Sequence, residues 1–231
     1  MLAGAALLGA RALLIALVVL VVAIAVGWPK LLDIPAWPVT SVILGAAGLG
    51  ALAIVSAVNT SPYLRDLPMV IALALLFVFF GQLMRRDDRH GLVLAVSGST
   101  TGLLVLVSVT GWLAASRDFG DLALVVTGAA SLAAAAGASV TPIPGWRVAL
   151  PSVGAGALIG AGVGRIFSDV GPLVGVGLGF VNGLVVVVMG ALFHSILRRT
   201  DRLSGLTASL MPLALAGMVT YIAGKLAAVF L

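Results

Sequence analysis

Long apolar runs, cut by short polar stretches, set the pattern of this chain. Ala12–Val26 and Leu173–Leu192 carry no charge over lengths close to the ~20 residues that cross a bilayer core. Eight such runs can be drawn, at about Leu7–Trp28, Val39–Val58, Pro68–Met84, Leu92–Ser116, Leu122–Thr141, Val148–Phe167, Pro172–Leu197 and Gly205–Leu231. A transmembrane barrel would instead alternate over ten-residue segments. The pattern predicts an all-α, polytopic transmembrane bundle of about eight spans. The only early positive charge of the first run is Arg11, and its uncharged stretch Ala12–Val26 is long for the core of a secretory leader, so it is read as a true span.

The polar breaks repeat. Arg85-Arg86-Asp87-Asp88-Arg89 returns as Arg198-Arg199-Thr200-Asp201-Arg202, 113 positions later. Ile34-Pro35-Ala36-Trp37 returns as Ile143-Pro144-Gly145-Trp146, 109 positions later. Gly111-Trp112-Leu113-Ala114 aligns with Gly224-Lys225-Leu226-Ala227 at an offset of 113. Trp, Pro and Arg are scarce here, so these matches predict a tandem duplication, with four-helix repeats at 1–116 and 117–231. An even number of spans per repeat makes the two repeats parallel.

Composition sharpens the class. Hydrophobic residues make up 61% of the 231 residues and charged ones 9%, against roughly 45–50% apolar in soluble domains. With no cysteine there is no disulfide and no thiolate metal site. No glutamate occurs, and the eight acids are all aspartates in or beside predicted loops. A net charge of +5 reads as orientation signal and contact with anionic headgroups rather than nucleic-acid binding. Eight cations (Lys30, Arg85, Arg86, Arg89, Arg147, Arg198, Arg199, Arg202) fall on one predicted face and five (Arg11, Arg65, Arg117, Arg165, Lys225) on the other. The bias places the arginine loops in the cytoplasm of a bacterial inner membrane, with both termini outside.

Chemistry is sparse. Arg85, Arg86, Arg89, Arg198, Arg199 and Arg202 could grip a phosphate or carboxylate, since guanidinium planes suit bidentate anions. Orientation alone also explains them. The most polar run inside a span is Ser97-Gly98-Ser99-Thr100-Thr101-Gly102, and its partner position in the last span is Pro212. Interrupted segments at matching places in two repeats point to a transporter site, so Ser97, Ser99, Thr100, Thr101 and Pro212, with Asn182, are the expected substrate contacts. Ordinary hydroxyl packing is the competing explanation. Asn182 needs a partner, because an unpaired amide in lipid costs several kcal/mol. His90 and His194 are too few for a metal site, and neither metal nor cofactor is expected. Gly156, Gly160 and Gly164, and Gly171, Gly175, Gly179 and Gly183, recur every fourth residue. That spacing predicts close packing of the sixth and seventh spans on each other, on a second copy or on a membrane partner.

The stretch Tyr63-Leu64-Arg65-Asp66-Leu67-Pro68, through Arg85–Arg89, to Ser97-Gly98-Ser99 resembles uncharacterised polytopic integral membrane proteins of actinobacteria. The resemblance implies a multi-pass helical fold and carries no functional residue over. No deep carboxylate supports proton coupling, and no nucleotide-binding or zinc-protease motif is present. The expectation is a small transporter or lipid-translocating permease with a polar site between the repeats. A non-transporting membrane subunit is the alternative. A lipid-phosphate-modifying enzyme is a third reading, thin because only Asp87, Asp88 and Asp201 could hold its metal.

Overall fold

The computed structural model describes residues 2–34, 37–84, 91–118, 122–141, 145–167, 170–197 and 202–230. Among these the only regular structure is helix, with no strand. In order the helices are α1 (Leu2–Leu7), α2 (Ala10–Leu31), α3 (Trp37–Ala57), α4 (Leu67–Leu83), α5 (Leu92–Ser108), α6 (Thr110–Asp118), α7 (Ala123–Ser139), a 3-10 turn at Gly145–Val148, α8 (Ala149–Ile166), α9 (Pro172–Leu197) and α10 (Arg202–Phe230).

Among the described residues, six segments are long and apolar enough to cross a membrane: α2, α3, α5 with α6, α8, Pro172–Phe193 of α9 and Leu203–Ala228 of α10. This is the architecture of a multi-pass membrane protein. Helices α4 and α7 have 17 residues each, about 25 Å at 1.5 Å per residue, short of a ~30 Å core. Other boundaries also differ from the apolar pattern. The first run is cut at Gly9, whose φ of 109° is open to glycine and strained for other residues. Helix α2 runs through Pro29, inside its last turn, to Leu31. The fourth run divides at Val109.

Cross-bundle contacts fix the helix directions. Trp28 of α2 meets Phe193 of α9 edge to face at 6.5 Å, and its indole donates to Gly98 O of α5 at 2.8 Å. Thr207 of α10 packs on Gly27. The ends of α2 and α9 therefore share one end of the bundle with the starts of α5 and α10. At the opposite end, Arg117 of α6 donates to Val55 O in the last turn of α3 and to Val58 O just beyond it, at 2.8 and 3.0 Å.

The two halves meet along α6 and α10. Gly111 lies directly on the Gly217 backbone, and the Trp112 indole donates to Leu213 O at 2.9 Å. Packing inside the halves is not alike. Helix α3 leans on α5 in the first half, whereas α8, the helix that the sequence matches would set beside α3, makes no comparable contact with α10, and α7 leans on α9 instead.

Asp118, the last residue of α6, ties α6 to α10 at the second end. It pairs with Lys225 of α10 and accepts from the Tyr221 hydroxyl at 3.0 Å. Lys225 Nζ also reaches Ser61 Oγ at 3.4 Å. The Asp118 side chain is 8% exposed and that of Lys225 42%, so solvent screens part of the pairing. Asp118→Asn removes the charge and keeps an oxygen for Tyr221. A loss of about 1–2 kcal/mol, or roughly 3–6 °C in Tm, is expected. Thermal melting in detergent reads it directly; an unchanged Tm would show that the pair contributes nothing.

Candidate functional site: a lateral groove between α3 and α4

Helix α4 has the sequence Leu-Pro-Met-Val-Ile-Ala-Leu-Ala-Leu-Leu-Phe-Val-Phe-Phe-Gly-Gln-Leu. Gln82 is its one polar side chain. A glutamine in such a run must face protein, because its amide has no partner in lipid. It is 6% exposed and sits beside Thr40 of α3 (3%) and Ser99 of α5 (0%) along one cavity wall. The cavity holds about 380 Å³ and is otherwise walled by aliphatic and aromatic groups, including Val39, Ile43, Phe77, Phe80 and Met84. Gly81 carries no side chain into it, and a methyl there would meet Ile43 at 3.4 Å.

A second cavity of about 380 Å³ adjoins the first at Ile43 and Phe77. Its walls, from Val42 through Ala46 and Gly50 to Ile54 on α3 and from Phe77 back to Met69 on α4, are wholly apolar. Together the two follow the α3–α4 seam from Val39 to Ile54, roughly 22 Å at the helical rise. Met69, Leu73, Phe77 and Phe80 are more than half exposed, so the seam opens sideways, toward where lipid would lie. The result is an elongated slot, polar at the end where α3 begins and α4 ends, and apolar over the rest.

Of the residues expected to contact substrate, only Ser99 lines this slot. Helix α5 is unbroken through the Ser97–Gly102 run, which corrects the expectation of an opened helix. Four hydroxyls explain why. Ser97 donates to Val93 O (2.7 Å), Ser99 to Ala95 O (2.6 Å), Thr100 to Val96 O (2.8 Å) and Thr101 to Ser97 O (2.9 Å). Each thereby satisfies itself on its own helix. Ser97 and Thr101 are exposed on the outer face and Thr100 is half-buried. Pro212 is half-buried within an α10 that also continues unbroken. Asn182 is fully buried against α7, where its Nδ2 donates to Gly128 O and Ser131 Oγ, both at 3.0 Å. The structure thus joins Asn182 to α7 and Ser99 to α3 and α4, not to each other. Arg85, Arg86, Arg89, Arg198 and Arg199 lie outside the described residues, as does the side chain of Arg202.

The glycine stripes pack α8 and α9 against each other. Gly156 faces Gly179, Gly160 faces Gly175, and Gly164 faces Gly171. A second copy or a partner would have to use other faces of these helices.

Thr40 and Gln82 escaped attention in the sequence. The signal was there for Gln82, a lone amide in an apolar helix. Comparison with known proteins finds no family model that matches the chain, and no curated protein or solved structure with significant similarity to it. The slot must therefore be read from its own chemistry.

Proposed function

We propose that the chain is a lipid-handling permease of the bacterial inner membrane, which takes an amphipathic molecule laterally from the bilayer into the α3–α4 slot. The observation that carries this reading is the polarity gradient of the slot: Thr40, Gln82 and Ser99 at one end, apolar walls beyond. Binding sites of this kind are mostly apolar, with a few placed polar groups that fix orientation. The slot lies inside the first half, so the substrate site moves there from the seam between repeats.

In this reading the chain crosses eight times, with α4 and α7 as short spans accommodated by local thinning of the bilayer. The alternating helix directions support that count. The arginine loops face the cytoplasm, as the cation bias favours. The duplication rests on the sequence matches alone, because the halves pack differently.

Reconstitution into vesicles tests the activity. Movement of a fluorescent single-chain amphiphile across the bilayer should exceed that of protein-free vesicles. The Thr40→Val/Gln82→Leu variant removes two polar groups worth about 0.5–1.5 kcal/mol each and should slow it about tenfold. Equal rates with and without protein would refute transport.

A further inference from the structure

The polar end of the slot is closed in this structure: Thr40 is 3% exposed, Gln82 6% and Ser99 0%. A ligand's polar group cannot reach them while α3 and α4 stay as they are. Granted the reading of the slot as a lipid site, we infer that α4 is its gate. The helix is hinged at its fastened N-terminal end and swings away from α3 at the end that carries Gln82.

The first ground is the packing of the seam. Two cavities of about 380 Å³ lie along it. Atoms that line a void lack partners on one side, so parting α3 from α4 forfeits fewer contacts than parting a close-packed pair. Beside Gly81 the helices meet through side chains, with Ile43 and Val39 at 3.4 and 3.8 Å from where a Cβ would stand. Helices α8 and α9, by contrast, meet backbone to backbone at Gly160 and Gly175.

The second ground is the fastening of one end. Residues 58–66 join α3 to α4, and two other helices hold that link. Arg117 of α6 donates to Val55 O and Val58 O at 2.8 and 3.0 Å and lies over the Tyr63 ring at 5.7 Å. Lys225 of α10, paired with Asp118, reaches Ser61 Oγ at 3.4 Å. Hydrogen bonds from a cation are roughly twice as strong as neutral ones. Leu67, the first residue of α4, is buried. All these fastenings stand at or before the start of α4. Element-terminal residues so placed are where hinges form.

The third ground is leverage. Gly81 lies 14 residues beyond Leu67, roughly 21 Å along the helix. A tilt of about 15° at Leu67 therefore moves the Gly81 end by roughly 5 Å, the width of a hydrocarbon chain. That gap uncovers Thr40 and Gln82 while the fastened end stays in place.

The test is double electron–electron resonance on the whole protein in nanodiscs, with spin labels on cysteine pairs, since the chain has no cysteine of its own. Leu83→Cys with Leu203→Cys reports the gate end, and Met69→Cys with Leu226→Cys the fastened end; all four positions are exposed. Each pair is measured alone, with oleyl alcohol and with oleyl phosphate. The first pair should show two distances about 5 Å apart, the longer one gaining share when an amphiphile is added. The second pair should show one. Arg117→Met keeps the side-chain stem and loses the guanidinium, and should broaden the second pair. A single unchanging distance at both ends under all three conditions overturns the gate. Movement at the Met69 end of the wild type, or no effect of Arg117→Met there, overturns the hinge. These failures are distinct from failure of the transport reading: vesicles without flux but with a moving α4 would refute transport alone, and flux with a still α4 would refute the gate alone.

Discussion

Gly160→Leu should yield no stable, monodisperse protein. A Cβ at Gly160 falls on the carbonyl oxygen of Gly175, and one at Gly175 falls on that of Gly160. Neither neighbour is a side chain that can swing aside. The axes of α8 and α9 must separate, and separation also opens Gly156 against Gly179 and Gly164 against Gly171. Overpacking a core by methylenes costs about 1–3 kcal/mol where side chains can adjust; here backbone meets backbone, so the loss exceeds about 3 kcal/mol. Gly162→Leu is the control. It lies on the same helix with nothing within 4 Å of its would-be Cβ, and losing a helical glycine should even gain a few tenths of a kcal/mol. Size-exclusion profiles of the two variants, expressed in parallel, distinguish the cases. Similar profiles would mean that the α8–α9 contact is not the one described.

Gly111→Val should be nearly as damaging, for a different reason. The valine would meet the Gly217 carbonyl and Met218 N, where α6 of the first half crosses α10 of the second. Moving α10 away would also break the Trp112 bond to Leu213 O and strain the pairing of Asp118 with Lys225 and Tyr221. A loss of more than about 3 kcal/mol is expected, from overpacking plus a lost indole bond. Thermal melting in detergent carries the diagnosis: the Tm should fall well below that of the wild type. A protein that melts like wild type would place the inter-half contact elsewhere.

The class and the helix order were legible in the residue pattern, because lipid forces every backbone group into a helix. Boundaries at Gly9 and Val109 were not. An apolar run conceals a break whose cause is a tertiary contact, such as α6 turning onto α10. The glycine stripes were read as close packing, and the pairing of α8 with α9 is one of the outcomes that spacing allowed. The site was the poorest reading. Ser97–Thr101 drew attention as a dense polar run, yet hydroxyls in a membrane helix bond their own carbonyls at little cost. The chemically demanding group was a single glutamine. Its meaning comes from α3 and α5 arriving beside it, from residues 42 positions upstream (Thr40) and 17 downstream (Ser99).

The slot also gives the two ends of the bundle different work. At the end bearing Asp118 and Lys225, charged side chains are consumed in holding α6, α10 and the turn at Ser61 together. At the other end, Lys30 rests on the Trp37 ring at 4.2 Å, an anchoring arrangement suited to a membrane border. Thr40, one turn further along α3, then opens the slot. A molecule entering from the side would find its polar group near that border and its chain along the seam.

The central claim is that the α3–α4 seam is a saturable site and not a stretch of ordinary lipid-facing surface. The chain has no cysteine, so a single fluorophore can be placed at will through Phe77→Cys, at the junction of the two cavities. Leu158→Cys on the outer face of α8, where the side chain is 74% exposed, supplies the comparison. Titrating a brominated long-chain alcohol into nanodiscs should quench the fluorophore at position 77 along a saturating curve, while quenching at 158 rises in proportion to the bulk membrane concentration. Proportional quenching at both positions would contradict the account.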